Sequence, residues 1–164
     1  MTVESVVDRD ALSLTFNADF DADVERVWQV WEDPRQLERW WGPPTWPATF
    51  PDHELRVGSE SRYYMTGPEG DKAHGWMRFD AVDEPTSIRF VDGFGDAEGV
   101  PDHSMPENTT VVTLAETDGR TRMTIAASFD SLEALEKVLA MGMQEGMALA
   151  LGQIDEILAT TLKR

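Results

Sequence analysis

Histidine is scarce among the side chains able to do chemistry. His53, His74 and His103 lie far apart with no paired-ligand spacing, so no metal site is expected. The chain has no cysteine, which removes thiolate nucleophiles, disulfides and cysteine-based metal sites. Gly58-Ser59-Glu60-Ser61 lacks the glycines that flank the serine of a nucleophile elbow. His53 is the one histidine that strand alternation turns inward, and it reads as a hydrogen-bonded rim histidine before it reads as a general base. No acid, base and nucleophile stand together, so no catalytic residue and no cofactor is assigned.

Methionine and tryptophan are more informative. Met65, Met77 and Met123 fall on the inward side of strands, Met143 and Met147 lie on or beside the inner face of the last helix, and Met105 sits in a long connection. Thioether chains are flexible and polarizable, which suits adaptable core filling or a cavity for an apolar or aromatic guest. As a set converging with Gly142 and Gly146, they favour a pocket. Five of the six tryptophans crowd into nineteen residues. Trp28 and Trp31 read as core. Trp40 and Trp41, about 100° apart on a helix, allow one ring to face inward and the other to reach a cavity mouth. The expected ligand-binding set is Trp40, Trp41, His53, Tyr63, Met65, Met77, Phe79, Phe90, Phe94, Met105, Met123, Met143, Gly146 and Met147. Its occupant would be a small apolar or aromatic molecule, oriented by the Tyr63 hydroxyl and His53.

The elements that must position these residues follow from periodicity. Residues 1–10 carry no pattern and read as a flexible lead-in, leaving 11–164 as one domain. Leu12, Leu14, Phe16, Ala18 and Phe20 alternate with polar residues, marking a first strand. Two short helices follow, the first opened by Asp21 or Asp23. The second starts at Asp33-Pro34, an aspartate cap with proline in the first turn. From residue 48 to 129 the period is two, broken by turn signals into six strands. The inward sets are His53, Leu55 and Val57; Ser61, Tyr63 and Met65; Met77, Phe79 and Ala81; Ile88 and Phe90; Val112 and Leu114; and Met123, Ile125, Ala127 and Phe129. Residues 92–108 form a loop too rich in glycine, proline and acid for a tight turn, either a disordered surface loop or a lid closing through Phe94 and Met105.

One long amphipathic helix is expected over 131–162, capped by Asp130 or Ser131 and ending near Lys163 and Arg164. Glycine costs about 1 kcal/mol relative to alanine inside a helix, so Gly142, Gly146 and Gly152 call for a reason. Gly142, Gly146 and Ala150 form a small-residue strip on the apolar face that serves either close approach of helix to sheet or space left between the two. An antiparallel sheet with one apolar face needs one cover, and this helix is the element long enough to supply it.

With 41% hydrophobic residues in 164, the chain suits a single core. Its net charge of −17 opposes phosphate backbones and anionic lipid, so no nucleic-acid and no membrane partner is expected. No apolar run approaches a membrane span, and the first residues lack a signal peptide's apolar centre. A cytoplasmic location is expected.

In order along the chain stand Asp33-Pro34, Arg39-Trp40-Trp41-Gly42-Pro43, Glu54-Leu55-Arg56-Val57-Gly58-Ser59, Thr66-Gly67-Pro68-Glu69-Gly70, His74-Gly75-Trp76, Asp92-Gly93-Phe94, Thr121-Arg122-Met123-Thr124 and Met141-Gly142-Met143-Gln144-Glu145-Gly146-Met147. Over about residues 11–160 this series resembles the START-like (SRPBCC) superfamily. The match is closer to its bacterial branch related to the activator of the 90-kDa heat-shock protein's ATPase. The resemblance implies an α+β helix-grip fold: a seven-stranded curved antiparallel sheet wrapped on a long C-terminal helix, with two short helices after the first strand. It also implies a hydrophobic cavity between helix and sheet. Two positions depart from the family pattern: Val57-Gly58-Ser59 replaces a frequent Pro-Gly-Gly, and Ala81 stands where many members direct an acid inward from the fourth strand.

Three functions are compatible with the resemblance: a small-molecule binding protein, a cyclase- or hydrolase-like enzyme using His53 or Tyr63, and a co-chaperone stimulating a heat-shock ATPase. The first is favoured. No counterpart of the eukaryotic activators' partner-binding extension is seen, which lowers the expectation of a heat-shock ATPase partner. A homodimer is a superfamily-level expectation.

Overall fold

Alternating apolar and polar side chains build the sheet of this α+β helix-grip fold. The computed structural model describes residues 3–160. In order, the elements are β1 (Val3–Asp8), β2 (Ser13–Phe20), α1 (Val24–Glu32), α2 (Pro34–Leu37), β3 (Ala48–Asp52), β4 (Glu60–Thr66), β5 (Lys72–Asp83), β6 (Ser87–Phe94), β7 (Asn108–Thr117), β8 (Arg120–Phe129), α3 (Leu132–Ala140), α4 (Met143–Leu151) and α5 (Ile154–Thr160). The eight strands form one antiparallel sheet in the order β1-β2-β8-β7-β6-β5-β4-β3.

One sheet face is apolar. Leu14, Phe16, Ala18 and Phe20 of β2 pair with Ala127, Ile125, Met123 and Thr121 of β8, and all eight are buried. A fully buried large apolar side chain contributes about 1.5–3 kcal/mol, so a one-residue slip of register would expose the whole set. Arg62, Arg78, Arg89 and Arg122 lie exposed on the other face.

The two short helices form where their caps put them. The Asp23 carboxylate accepts from the Arg26 backbone N–H at 2.9 Å, starting α1, whose Val27, Trp28, Val30 and Trp31 are buried. Asp33 ends α1 and caps α2 by accepting from Arg35 N–H, with Pro34 in the first turn. Arg26 ties α1 to α5, its guanidinium donating to the Ile157 carbonyl at 3.1 Å.

Several expectations are corrected. Residues 3–8 are no loose lead-in but an edge strand paired with β2 from Val3↔Ala18 to Asp8↔Ser13, which makes eight strands instead of seven. The C-terminal cover is three helical segments. Gly142 has φ +86°, the left-handed conformation in which glycine ends a helix without steric cost, so it terminates α3 and α4 restarts beyond it. A second break falls at residues 152–153. The expected end at residue 162, with Lys163 and Arg164, lies outside the described residues.

β3 stops at Asp52, and Val57 is 57% exposed in the turn before β4. Ala81 is exposed because a bulge between Phe79 and Ala81 shifts the β5–β6 register and turns Val82 inward opposite Ile88. Asp92, Gly93 and Phe94 belong to β6, so the connection to β7 spans 95–107.

That connection is ordered by its own backbone. The Asp96 N–H donates to Val100 O at 2.8 Å and the Asp102 N–H to Phe94 O at 2.9 Å, while Gly95 bridges to Pro101. No described helix is long and apolar enough to cross a membrane.

Candidate functional site

The helical cover seals most of the sheet. Leu135, Val138, Ala150, Leu151 and Ile154 are buried, whereas Met143, Gly146 and Met147 between them are only half-buried. A Cβ added to Gly146 would meet no atom within 4 Å. Of the two readings offered for this glycine, close approach to the sheet is therefore wrong, and the helix leaves space there. A pocket of about 250 Å³ opens at this point. Its walls come from the segment after α2 (Trp41, Pro43), β4 (Tyr63, Met65), β6 (Asp92, Gly93, Phe94), the β6–β7 connection (Pro106), the start of β7 (Asn108), α3 (Val138), the break (Met141, Gly142) and α4 (Met143, Gly146, Met147).

Aromatic rings shape one wall. Trp41 meets Tyr63 edge-on at 6.1 Å and 83°, and Phe50 stacks on the other side of Tyr63 at 4.9 Å and 24°. These contacts hold the phenol in place. Its hydroxyl must cross β5 to reach β6, and Gly75 permits the crossing. Gly75 pairs with both Tyr63 and Phe94, and a Cβ there would stand 2.4 Å from Tyr63 Cζ and 2.5 Å from Oη.

The hydroxyl of Tyr63 donates to Asp92 Oδ1 at 3.1 Å. The Asn108 side chain and the Gly93 backbone also stand close enough to Asp92 to favour its ionised form. The Asn108 carbonyl oxygen accepts from Thr110 Oγ1 at 2.5 Å, which leaves the amide nitrogen for the carboxylate.

Donors of this kind stabilise a carboxylate, yet desolvation is larger and the Asp92 carboxyl is pushed up to about 7. Asp92 keeps some accessible surface because it borders the pocket, but protein encloses it deeply enough for burial to govern its titration. The Tyr63 phenol is pushed well above its ordinary value, by burial first and by the Asp92 charge second. The Trp41 indole N–H is buried without a hydrogen-bond partner among the described atoms. It lies near enough to the Tyr63 oxygen to favour its ionised form slightly, but outside bonding geometry.

Trp41, Tyr63, Met65 and Phe94 therefore meet Met143, Gly146 and Met147 around one space. The other expected site residues do not reach it. Trp40 is fully buried, its indole donating to Val30 O at 2.9 Å. Met77, Phe79 and Phe90 are packed within the sheet's core. Met123 lies under α1, where its sulfur accepts from Trp31 Nε1 at 3.2 Å. Met105 is half-buried in the connection, and Pro106 takes the wall position instead.

His53 is committed elsewhere. Its Nε2 donates to Trp31 O at 2.8 Å and its Nδ1 faces the Ser61 hydroxyl at 2.8 Å. Burial lowers its pKa and keeps it neutral, so both nitrogens are occupied and it cannot serve the pocket as a base.

Asp92 and Asn108 were missed by sequence reasoning. The signal was present for Asp92, since Ile88, Phe90, Asp92 and Phe94 continue one alternation. The neighbouring glycines disguised it as loop. Among the described residues, no group of three histidines or carboxylates could hold a metal ion.

A family model described as "Activator of Hsp90 ATPase homolog 1-like protein" matches residues 21–159. A protein of Arthrobacter aurescens, solved by solution NMR, is 50% identical with a TM-score of 0.92, over 98% of this chain and 93% of that one. A Mycobacterium smegmatis protein, solved by crystallography, is 46% identical with a TM-score of 0.87, over 98% of both chains. A Rhodobacter sphaeroides protein is 25% identical with a TM-score of 0.81, over 96% of this chain and 99% of that one. No curated protein matches the chain.

Proposed function

Because the chain belongs to the Activator of Hsp90 ATPase homolog 1-like family, whose fold is compatible with ligand binding, we propose that it is a small-molecule binding protein whose guest occupies the pocket beneath α4. The observation that carries this reading is the half-buried strip Met143, Gly146 and Met147, held off a wall of Trp41, Tyr63 and Phe94 around about 250 Å³. Such walls give affinity by removing apolar surface from water. The single polar group of Tyr63, Asp92 and Asn108 gives orientation. A cavity of roughly 150 Å³ holds benzene, so this one suits a guest of one or two rings.

Isothermal titration of 2-naphthylmethanol against the protein tests the reading. Binding is expected in the native protein, with a loss of at least tenfold in a folded Gly146→Leu variant. Undiminished binding by that variant would place the guest elsewhere, and no binding by the native protein would count against the reading.

A second reading is acid–base catalysis in the same pocket. It is favoured by the Tyr63–Asp92 contact and by a carboxyl poised near neutral pH. Turnover with a pH dependence lost in Asp92→Asn would support it. Panels of aromatic polyketides and esters without turnover would count against it. The co-chaperone reading draws on the family description alone. A pull-down of a heat-shock ATPase that fails at low salt, where charge attraction is strongest, would remove it.

A further inference from the structure

Among the described residues, Asp92 is the only acidic side chain lining the pocket, and no lysine, arginine or histidine lines it. Among the described residues it takes part in no salt bridge. Its hydrogen-bond donor Tyr63 and the adjoining Asn108 and Gly93, which favour its ionised form, are all neutral. The arrangement is built for a carboxylate: Thr110 fixes the Asn108 amide with its nitrogen available to Asp92, and Gly75 gives the Tyr63 hydroxyl its path. What is missing is a counter-charge, and an enclosed carboxylate without one is costly.

Resting on the binding function proposed above, we infer that the guest is an aromatic or apolar amine. Its protonated nitrogen pairs with Asp92, and its ring lies among Trp41, Phe94, Met143 and Met147. The same aromatic faces attract a cation, and a chain of net charge −17 raises the local concentration of cations over anions. A carboxylic acid of the same shape meets the Asp92 charge with no basic residue to offset it. An alcohol fills the space but leaves that charge uncompensated.

Protonation of Asp92 governs the preference. Tyr63 of β4 is the only other titratable group facing Asp92 across the pocket, and its phenol stays neutral. β7 presents Asn108, the segment after α2 presents Trp41 and Pro43, and the helices present uncharged residues. His103 pairs with Glu107 and packs on Trp76, which alternation places on the opposite face of the sheet.

Isothermal titration of 2-naphthylmethylamine, 2-naphthylmethanol and 2-naphthoate separates the possibilities. At pH 8 the amine is expected to bind at least tenfold more tightly than the alcohol, and the naphthoate least. Lowering the pH to 5.5, which protonates Asp92, should cut the amine's advantage over the alcohol several-fold. In Asp92→Asn, which keeps the size of the side chain and removes its charge, the amine's advantage over the alcohol should vanish. Equal binding of amine and alcohol at pH 8, or an amine preference that survives Asp92→Asn, overturns the inference and leaves the binding function standing. If none of the three binds, both fall together.

Discussion

The two ends of the apolar sheet face are made from similar side chains and packed differently. Under α1, Trp31 meets Trp40 at 4.9 Å and Trp41 at 5.7 Å, both edge-on, and donates to the sulfur of Met123. Every large side chain there is buried. Under α4, Met143 and Met147 flank a glycine with nothing beneath it. The difference is one of backbone spacing and residue volume, not of hydrophobicity. A helix carrying valine and tryptophan inward fills the gap to the sheet. A helix carrying glycine inward, and restarted at a left-handed Gly142, leaves it open.

The largest effect expected from breaking this contrast is Trp31→Ala. Removing a fully enclosed indole should cost about 3–5 kcal/mol, measurable by urea unfolding. An effect below 1 kcal/mol would mean that the α1 end is not the packed one.

Asp92→Asn should act in the opposite direction at the pocket end. The folded carboxyl titrates near 7, above its ordinary value, so the folded state holds an extra proton between about pH 4 and 7. Stability therefore falls as pH rises through that window, and the loss is complete above pH 7. At about 1.4 kcal/mol per pH unit, Asp92→Asn should stabilise the protein at pH 8 by up to about 4 kcal/mol and flatten this part of the profile. A variant less stable than the native protein at pH 8 would mean that the ionised carboxylate is better satisfied in the folded protein than its burial implies.

His53→Ala sharpens the boundary between the ends. It strands the buried Ser61 hydroxyl and the Trp31 carbonyl, for a loss of about 1–3 kcal/mol. Probe binding should be unaltered, and weakened binding would return His53 to the site.

The smallest effect is expected from Gly146→Ala. Its methyl group enters open space on a helical backbone, so stability should rise by about 0.5–1 kcal/mol. A melting temperature lowered by the change would mean that the strip touches the sheet.

The contrast also marks what was legible beforehand. Period-two alternation placed Leu14, Phe16 and Phe20 inward, and Asp23, Asp33 and Ser131 cap helices in the structure, because these signals act over two to four residues. Val3–Asp8 was missed because an edge strand, half-exposed on alternate residues, shows little hydrophobic contrast. Ala81 was misassigned because a single bulge inverts every later residue of its strand. Five of the fourteen expected ligand residues, Trp40, Met77, Phe79, Phe90 and Met123, are core packing. Inward direction was readable at those positions, but the distance to the opposing element was not.

The sequence by itself determined the family, the fold class, the apolar face and the absence of thiol chemistry, since each depends on residue type and short-range spacing. Only the tertiary structure decided where the interior is filled and where it is open. It also decided that a tyrosine from β4, crossing over Gly75, meets an aspartate from β6. Those outcomes depend on separations between elements distant in the chain, which backbone path and side-chain volume set together.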